Sequence, residues 1–262
     1  MKYNFFKMQA QGNDYLYFDF IGKEMLSINL PQLARQISDR HYGVGADGIV
    51  LILPSDEADA RLRILNADGS EAEMCGSALR SVCGYLFDQN YRNPIRVETK
   101  SGIREGIVST ENGRIKVRVD MGKPKIIDSN LTVAGFTGIQ VDIGNPHFVI
   151  FVDNLPGTRI ADIAKDIYKA NVFIHGINVE FVRVEDRGRV TVQVWERGSG
   201  ATLACGTGAS AVAFAGYSKG LCDTVLQIDL PGGFVHTEFD TESHHIFLTG
   251  EVVFVFDGVY EF

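Results

Sequence analysis

The sequence predicts an α/β chain built as two similar halves, and three observations carry that expectation. A Cys-Gly-Ser/Thr device occurs twice, in EMCGSALRSVCGYL at residues 73 to 86 and in LACGTGASAVAFAG at residues 203 to 216. Its cysteines, Cys75 and Cys205, stand 130 residues apart, about half of the 262-residue chain, which points to a duplicated architecture rather than to coincidence. Strand-like segments precede each cysteine (RLRIL, VTVQVW) and follow each expected helix (IRVET, VLQIDL).

Along the chain, GND at 12 to 14 introduces the alternating strand YLYFDF, and NADGSE at 66 to 71 ends the strand RLRIL. Leu79, Val82, Cys83, Leu86 and Phe87 then fall at i, i+3, i+4, i+7 and i+8, one face of an α-helix. Cys83 therefore belongs to a packed face, whereas Cys75 precedes the periodic run and stands at the helix mouth. In the second half GNPH at 144 to 147 introduces FVIFV, Asn178 opens VEFVRV, and Glu196 and Arg197 end VTVQVW. The helix after Cys205 is rich in Ala and Gly, which suits close packing inside a surrounding sheet, although Gly208 and Gly216 lower its intrinsic propensity. Asn, Asp and Gly are common turn residues whatever the function, so these polar positions carry weight only as a set.

Composition narrows the classes of function. At 45% hydrophobic and 22% charged residues, the chain is long enough for one large domain or two ordinary ones, each with its own core. A net charge of −8 and the lack of a Lys/Arg cluster with interleaved aromatics argue against nucleic acid as a partner. The N-terminal MKYNFFKMQAQGND meets Gln, Asn and Asp before a secretory apolar core could form, and no apolar run approaches the ~18 residues of a membrane span. A cytoplasmic protein with no membrane partner is expected. The four cysteines, at 75, 83, 205 and 222, lack the short pairwise spacings of zinc sites and C-x-x-C redox motifs, and read as thiols.

A thiol at a helix mouth has a chemical meaning. The first turn presents backbone N–H groups without intrahelical partners, together with the positive end of the macrodipole, so it stabilises anions. That field lowers the pKa of a cysteine there, while a glycine-rich turn lets amides approach a carboxylate or phosphate. Two such mouths facing one anionic ligand would remove a proton from one face of a carbon and return one to the other.

Taken together the motifs resemble the diaminopimelate epimerase family: KMQAQGND near the start, RHYGVGADG at 40 to 48, NADGSEAEMCG at 66 to 76, GNPHF at 144 to 148, GINVEFV at 176 to 182, ERGSGATLACGTGA at 196 to 209 and DLPGG at 229 to 233. The resemblance covers nearly the whole chain. It implies an α/β (α+β) fold of two pseudo-symmetric domains, each a curled, mainly antiparallel sheet around a central helix, with the site in the cleft between them. The halves would be residues 1–121, to which a final strand at about 252–262 returns, and residues 122–251. It also implies a homodimer, no cofactor and no metal, and the interconversion of LL- and meso-diaminopimelate in lysine and peptidoglycan precursor biosynthesis. By position, Cys75 and Cys205 would be the two bases. The amides of Gly76, Ser77, Gly206 and Thr207 would bind the α-carboxylate of the amino-acid substrate. Asn13, Asn66, Asn145, Asn178, Glu196 and Arg197 would hold its amino group and its remote amino-acid head.

Three departures bear on the substrate. The family commonly has Asn and Gly after the first Cys-Gly, where this chain has Ser77 and Ala78; Ala10 stands where Gly is frequent; and Ala201 replaces a usual glutamate. A related cofactor-independent racemase of another amino acid, such as histidine, is the alternative reading. A non-catalytic amino-acid binding protein would keep its function with alanine at 75 and 205, and a redox thiol protein would turn over with a thiol reductant.

Overall fold

The chain opens with a hairpin set by its turn. Strands β1 (Lys2–Ala10) and β2 (Asn13–Asp19) are joined by Gln11 and Gly12, both at positive φ (51° and 81°), the two-residue geometry whose twist matches the flanking strands. This is a computed structural model, and it describes residues 2–24, 28–72 and 74–261; Met1, Glu73 and Phe262, which fall in segments read above, lie outside the described residues.

Helix α1 (Leu30–Ser38) starts where the Asn29 side chain accepts from the Gln32 amide. Its apolar face, Leu30, Leu33, Ala34 and Ile37, packs with Phe18, Ile49, Leu51 and Leu65. There follow β3 (Gly48–Leu53), β4 (Ala60–Asn66), the two-residue β5 (Glu71–Ala72), helix α2 (Gly76–Asp88), β6 (Ile95–Thr99), β7 (Gly102–Glu111) and β8 (Arg114–Gly122). The series then recurs: β9 (Lys125–Val133), β10 (Phe136–Asp142), β11 (Pro146–Phe151), α3 (Ile160–Lys169), β12 (Asn178–Asp186), β13 (Arg189–Glu196), the two-residue β14 (Gly200–Ala201), α4 (Gly206–Ser218), β15 (Val225–Leu230), β16 (Gly233–Phe239) and β17 (Ile246–Glu261).

Pairing repeats as well. β2 lies parallel to β3 as β11 does to β12, β4 parallel to β6 as β13 does to β15, and β3–β4, β4–β5, β12–β13 and β13–β14 are antiparallel. The fold is thus α+β, strand-rich and two-domain. The chain divides into two compact units, Met1–Val119 with Gly250–Phe262, and Asp120–Thr249. The last strand contributes to both: residues 246–249 pair with β16, and residues 253–261 pair with β1.

In each unit the helix after the cysteine is enclosed. All of α2 except Tyr85, Phe87 and Asp88 is buried, and α4 buries Gly208–Ala213, Ala215 and Gly216. The glycines of α4, which cost helix propensity of about 1 kcal/mol each, are there for space. A Cβ at Gly208 would stand 2.7 Å from Glu180 Oε1, and one at Gly216 would stand 2.6 Å from the Cys222 sulfur. Cys83 and Cys222 are both buried packing residues. Burial pushes the Cys83 thiol up to about 12 and raises that of Cys222.

The RHYGVGADG segment acts as a clamp on the first hairpin. Asp14 accepts from Arg40 Nη1 and Nη2 at 3.2 and 2.6 Å and pairs with Lys7 at 2.6 Å, while its amide donates to Asp47 Oδ2. Lys7 also donates to the Gly45 carbonyl, and Gly45 takes the left-handed φ of 84° with the Arg40 side chain against it. Burial pushes the Asp14 carboxyl up, but Arg40 and Lys7 outweigh it and hold it below its ordinary value. A depressed carboxylate contributes stability above its unfolded-state pKa, near 4, and loses it as pH falls through the folded value. Asp14→Asn is therefore expected to cost about 2 kcal/mol at pH 7, with the difference from wild type closing below about pH 4; urea melts across pH check this.

Candidate active site

In the first unit the strand–turn–helix path around β4 and α2 fixes the cysteine. Cys75 is the N-cap of α2, with extended backbone (φ −139°, ψ 118°), half-buried, its carbonyl accepting from the Leu79 amide at 2.9 Å. Gly76 and Ser77 form the first buried turn, where amides have no intrahelical partner. The hydroxyl of Tyr15, on β2, is pushed well above its ordinary value by burial first and then by the neighbouring Cys75 sulfur. Asn66 ends β4 opposite Gly48; its side chain donates to Ser70 Oγ at 3.0 Å. Asn13 opens β2 just past the hairpin turn, and its Oδ1 is buried and accepts no hydrogen bond from the described residues.

The second unit repeats the arrangement with a different electrostatic lining. Cys205 is the N-cap of α4 (φ −134°, ψ 113°); its sulfur accepts from the Gly208 amide at 3.4 Å and lies 3.5 Å from Thr207 Oγ1. The expectation that a helix mouth lowers the thiol pKa does not hold here. Burial first, then the Glu196 and Glu180 carboxylates, push Cys205 well above its ordinary value, against the smaller pull of Thr207 and the Gly208 amide. Glu196, the last residue of β13, is itself raised by burial and accepts from Thr202 Oγ1.

Asn145 donates to Thr207 Oγ1 at 3.2 Å and bonds through Oδ1 to His147 Nε2 at 3.0 Å, which ties the β10–β11 turn to the helix mouth. Asn178 donates to the Pro146 carbonyl at 3.2 Å and accepts from the Arg197 amide at 2.9 Å. Arg197 is exposed, with Nη1 donating to the His175 carbonyl at 2.8 Å; Gly176, at φ 72°, gives it room, since a Cβ there would stand 2.8 Å from Arg197 Cδ. The second unit thus brings together Asn145, Asn178, Glu196, Arg197, Cys205, Gly206 and Thr207, and the first holds Asn13, Asn66, Cys75, Gly76 and Ser77.

Two residues of this framework lay within quoted motifs without being singled out. His147 Nδ1 meets Glu180 Oε1 at 2.6 Å, both side chains fully buried, and through Asn145 the pair braces Thr207. A lone imidazole in GNPHFVIFV and a lone carboxylate in NVEFV, inside otherwise apolar strands, were the available signal. Among the described residues no three His, Cys, Asp or Glu side chains gather as a metal site.

The sequence matches the family described as Diaminopimelate epimerase over residues 5–127 and 139–255. A diaminopimelate epimerase of Acetivibrio thermocellus is 40% identical over 273 aligned residues, covering 97% of each chain. One of Carboxydothermus hydrogenoformans is 41% identical, covering 98% of each. Among solved structures, a phenazine biosynthesis PhzF-family protein of Bacillus anthracis, 16% identical, superposes with a TM-score of 0.76 over the whole of both chains and shares the fold. With both helix mouths, their cysteines and the polar set in place on that fold, the chain belongs to the diaminopimelate epimerase family.

Proposed function

We propose that the chain is an isomerase that interconverts LL- and meso-diaminopimelate without a cofactor, with Cys75 and Cys205 as the two bases. The observation that carries this reading is the pair of N-cap cysteines at matched positions of a repeated topology, in a chain 40% identical over 97% of its length to a diaminopimelate epimerase.

The chemistry must overcome the weak acidity of an amino-acid α-proton. A thiolate takes that proton, the Cα–H electron pair passes toward the α-carboxylate, and the opposite thiol donates its proton to the other face, so the negative charge moves from one sulfur to the other. Inversion requires one base per face. The amides of Gly76, Ser77, Gly206 and Thr207 are the donors for the carboxylate; such preorganised donors contribute about 3–4 kcal/mol each where water is excluded. Asn13 Oδ1, a buried acceptor, suits a substrate ammonium. Asn66, Asn145, Asn178 and Glu196 complete the polar contacts, and Arg197 supplies a guanidinium fork for the remote carboxylate.

The same reading takes residues 1–121 with the returning strand, and 122–251, as the two domains. It places the enzyme in lysine and peptidoglycan precursor synthesis, as a cytoplasmic homodimer. Among the described residues no helix is long and apolar enough to cross a membrane. Phe254, Val255, Phe256 and Val259 on β17 are exposed, an apolar strip that supports self-association.

Incubation of LL-diaminopimelate in deuterated water tests the activity. Deuterium is expected at one α-carbon together with appearance of the meso form; neither event, with a folded protein, rejects the reading.

A further inference from the structure

The two helix mouths carry matching architecture and opposite charge. Position five after the cysteine is Arg80 in α2 and Ser210 in α4, and both side chains bond back to the carbonyl of the residue next to the cysteine: Arg80 Nε to Gly76 O at 3.3 Å, Ser210 Oγ to Gly206 O at 3.0 Å. Only the first is a cation. Arg80 is 1% exposed and pairs with no carboxylate among the described residues; Nη2 donates to Gln11 Oε1 at 2.9 Å, and Nη1 is buried with no hydrogen-bond partner.

Its site is shaped for it. Gln11, whose Nε2 donates to the Glu251 carbonyl, holds the guanidinium from the hairpin turn, and a Cβ on Gly250 would stand 1.8 Å from Nη1. A buried guanidinium left without a counter-ion is strongly disfavoured, and arginine stays charged where lysine would neutralise. Among the described residues, the titratable groups that interact electrostatically with this cation are the Cys75 sulfur and the Tyr17 hydroxyl. Tyr17 and Tyr15, on β2, are driven far above their ordinary range by burial, so they stand as neutral phenols beside the sulfur. Asp14 and Asp47, near those phenols, are engaged by Arg40.

We propose that Arg80 is a positioning residue whose buried charge holds Cys75 as the resting thiolate, while Cys205, which faces the carboxylates of Glu196 and Glu180, rests as the thiol. For the substrate stereoisomer whose α-proton faces Cys75, that sulfur begins turnover and the Cys205 thiol completes it; proton exchange with water after product release then restores the Cys75 thiolate. This rests on the two-base reading above for its catalytic meaning, but the ionisation itself is measurable without substrate.

Alkylation by iodoacetamide from pH 5 to 10, followed peptide by peptide by mass spectrometry, reads each thiol separately. In the wild-type protein the Cys75 profile is expected to have its midpoint below the ordinary thiol value of about 8.5 and below that of Cys205. Arg80→Met should raise the Cys75 midpoint by at least about one unit, a roughly tenfold loss of rate at neutral pH, and leave the Cys205 profile unmoved. Arg80→Lys, whose ammonium would neutralise in the same enclosed pocket, should restore little of the shift. A wild-type Cys75 midpoint at or above about 8.5 overturns the proposal whether or not the variants fold, as does an unshifted midpoint in folded Arg80→Met. Deuterium incorporation by an enzyme with such a profile would leave the epimerase reading intact, and a low Cys75 midpoint without turnover would reject that reading alone.

Discussion

Alanine at either Cys75 or Cys205 is expected to abolish epimerisation, lowering kcat by about 10³-fold or more, because one face of the α-carbon then lacks its proton-transfer group. Both residues are N-caps whose carbonyls accept helix bonds that alanine preserves, so the variants keep their helices. Cys83 and Cys222 provide the control. Both are buried against glycine, Cys83 beside Gly106 and Cys222 beside Gly216, and their loss is expected to lower thermal stability while kcat stays within a few fold. Chiral analysis of product with each of the four variants checks this. Full activity in Cys75→Ala would end the two-base assignment.

The helix mouths were legible in the sequence because two independent patterns met there. An apolar 3.6-residue period begins just after Cys75, and a small-residue run begins just after Cys205; both helices start one residue past the thiol. The repeat was legible only faintly from four matched residues, yet it extends through the strand pairings, since parallel β2–β3 and β11–β12 recur with little sequence in common. What the sequence could not convey was burial around the sulfur. The helix field argument gives both cysteines the same sign, but burial of the sulfur, and after it the Glu196 and Glu180 carboxylates, reverse it at Cys205, and the approach of those carboxylates depends on how β12 and β13 pair in space. Arg80 was hidden for a related reason: in the helical pattern of α2 it falls among buried positions, where a cation reads as an exception rather than as a counter-charge.

The same reasoning extends to the remote end of the substrate, where the largest discrimination is expected. Arg197 is held by its own amide on Asn178, by Nη1 on the His175 carbonyl and by the room that Gly176 leaves. Its remaining guanidinium donors suit a carboxylate, which diaminopimelate carries at its far head and lysine does not. A site built around polar groups that an analogue leaves unpaired rejects it by about 10⁴-fold, so lysine should be converted more slowly than diaminopimelate by a factor of that order. Arg197→Met should lose most activity on diaminopimelate while the alkylation profiles of Cys75 and Cys205 stay as in wild type, because the guanidinium acts on substrate and not on sulfur. Ser77, Ala78 and Ala201 make histidine and other single-headed amino acids the necessary comparison. In the proposed reading Ser77 would contact the α-carboxylate through a backbone amide that any side chain leaves in place, and Ala201 lies exposed at the end of β14, so neither would remove a donor from the remote head. Preference for a single-headed amino acid, with diaminopimelate inert, would instead make the chain a racemase within the same family and would give Arg197 a different partner.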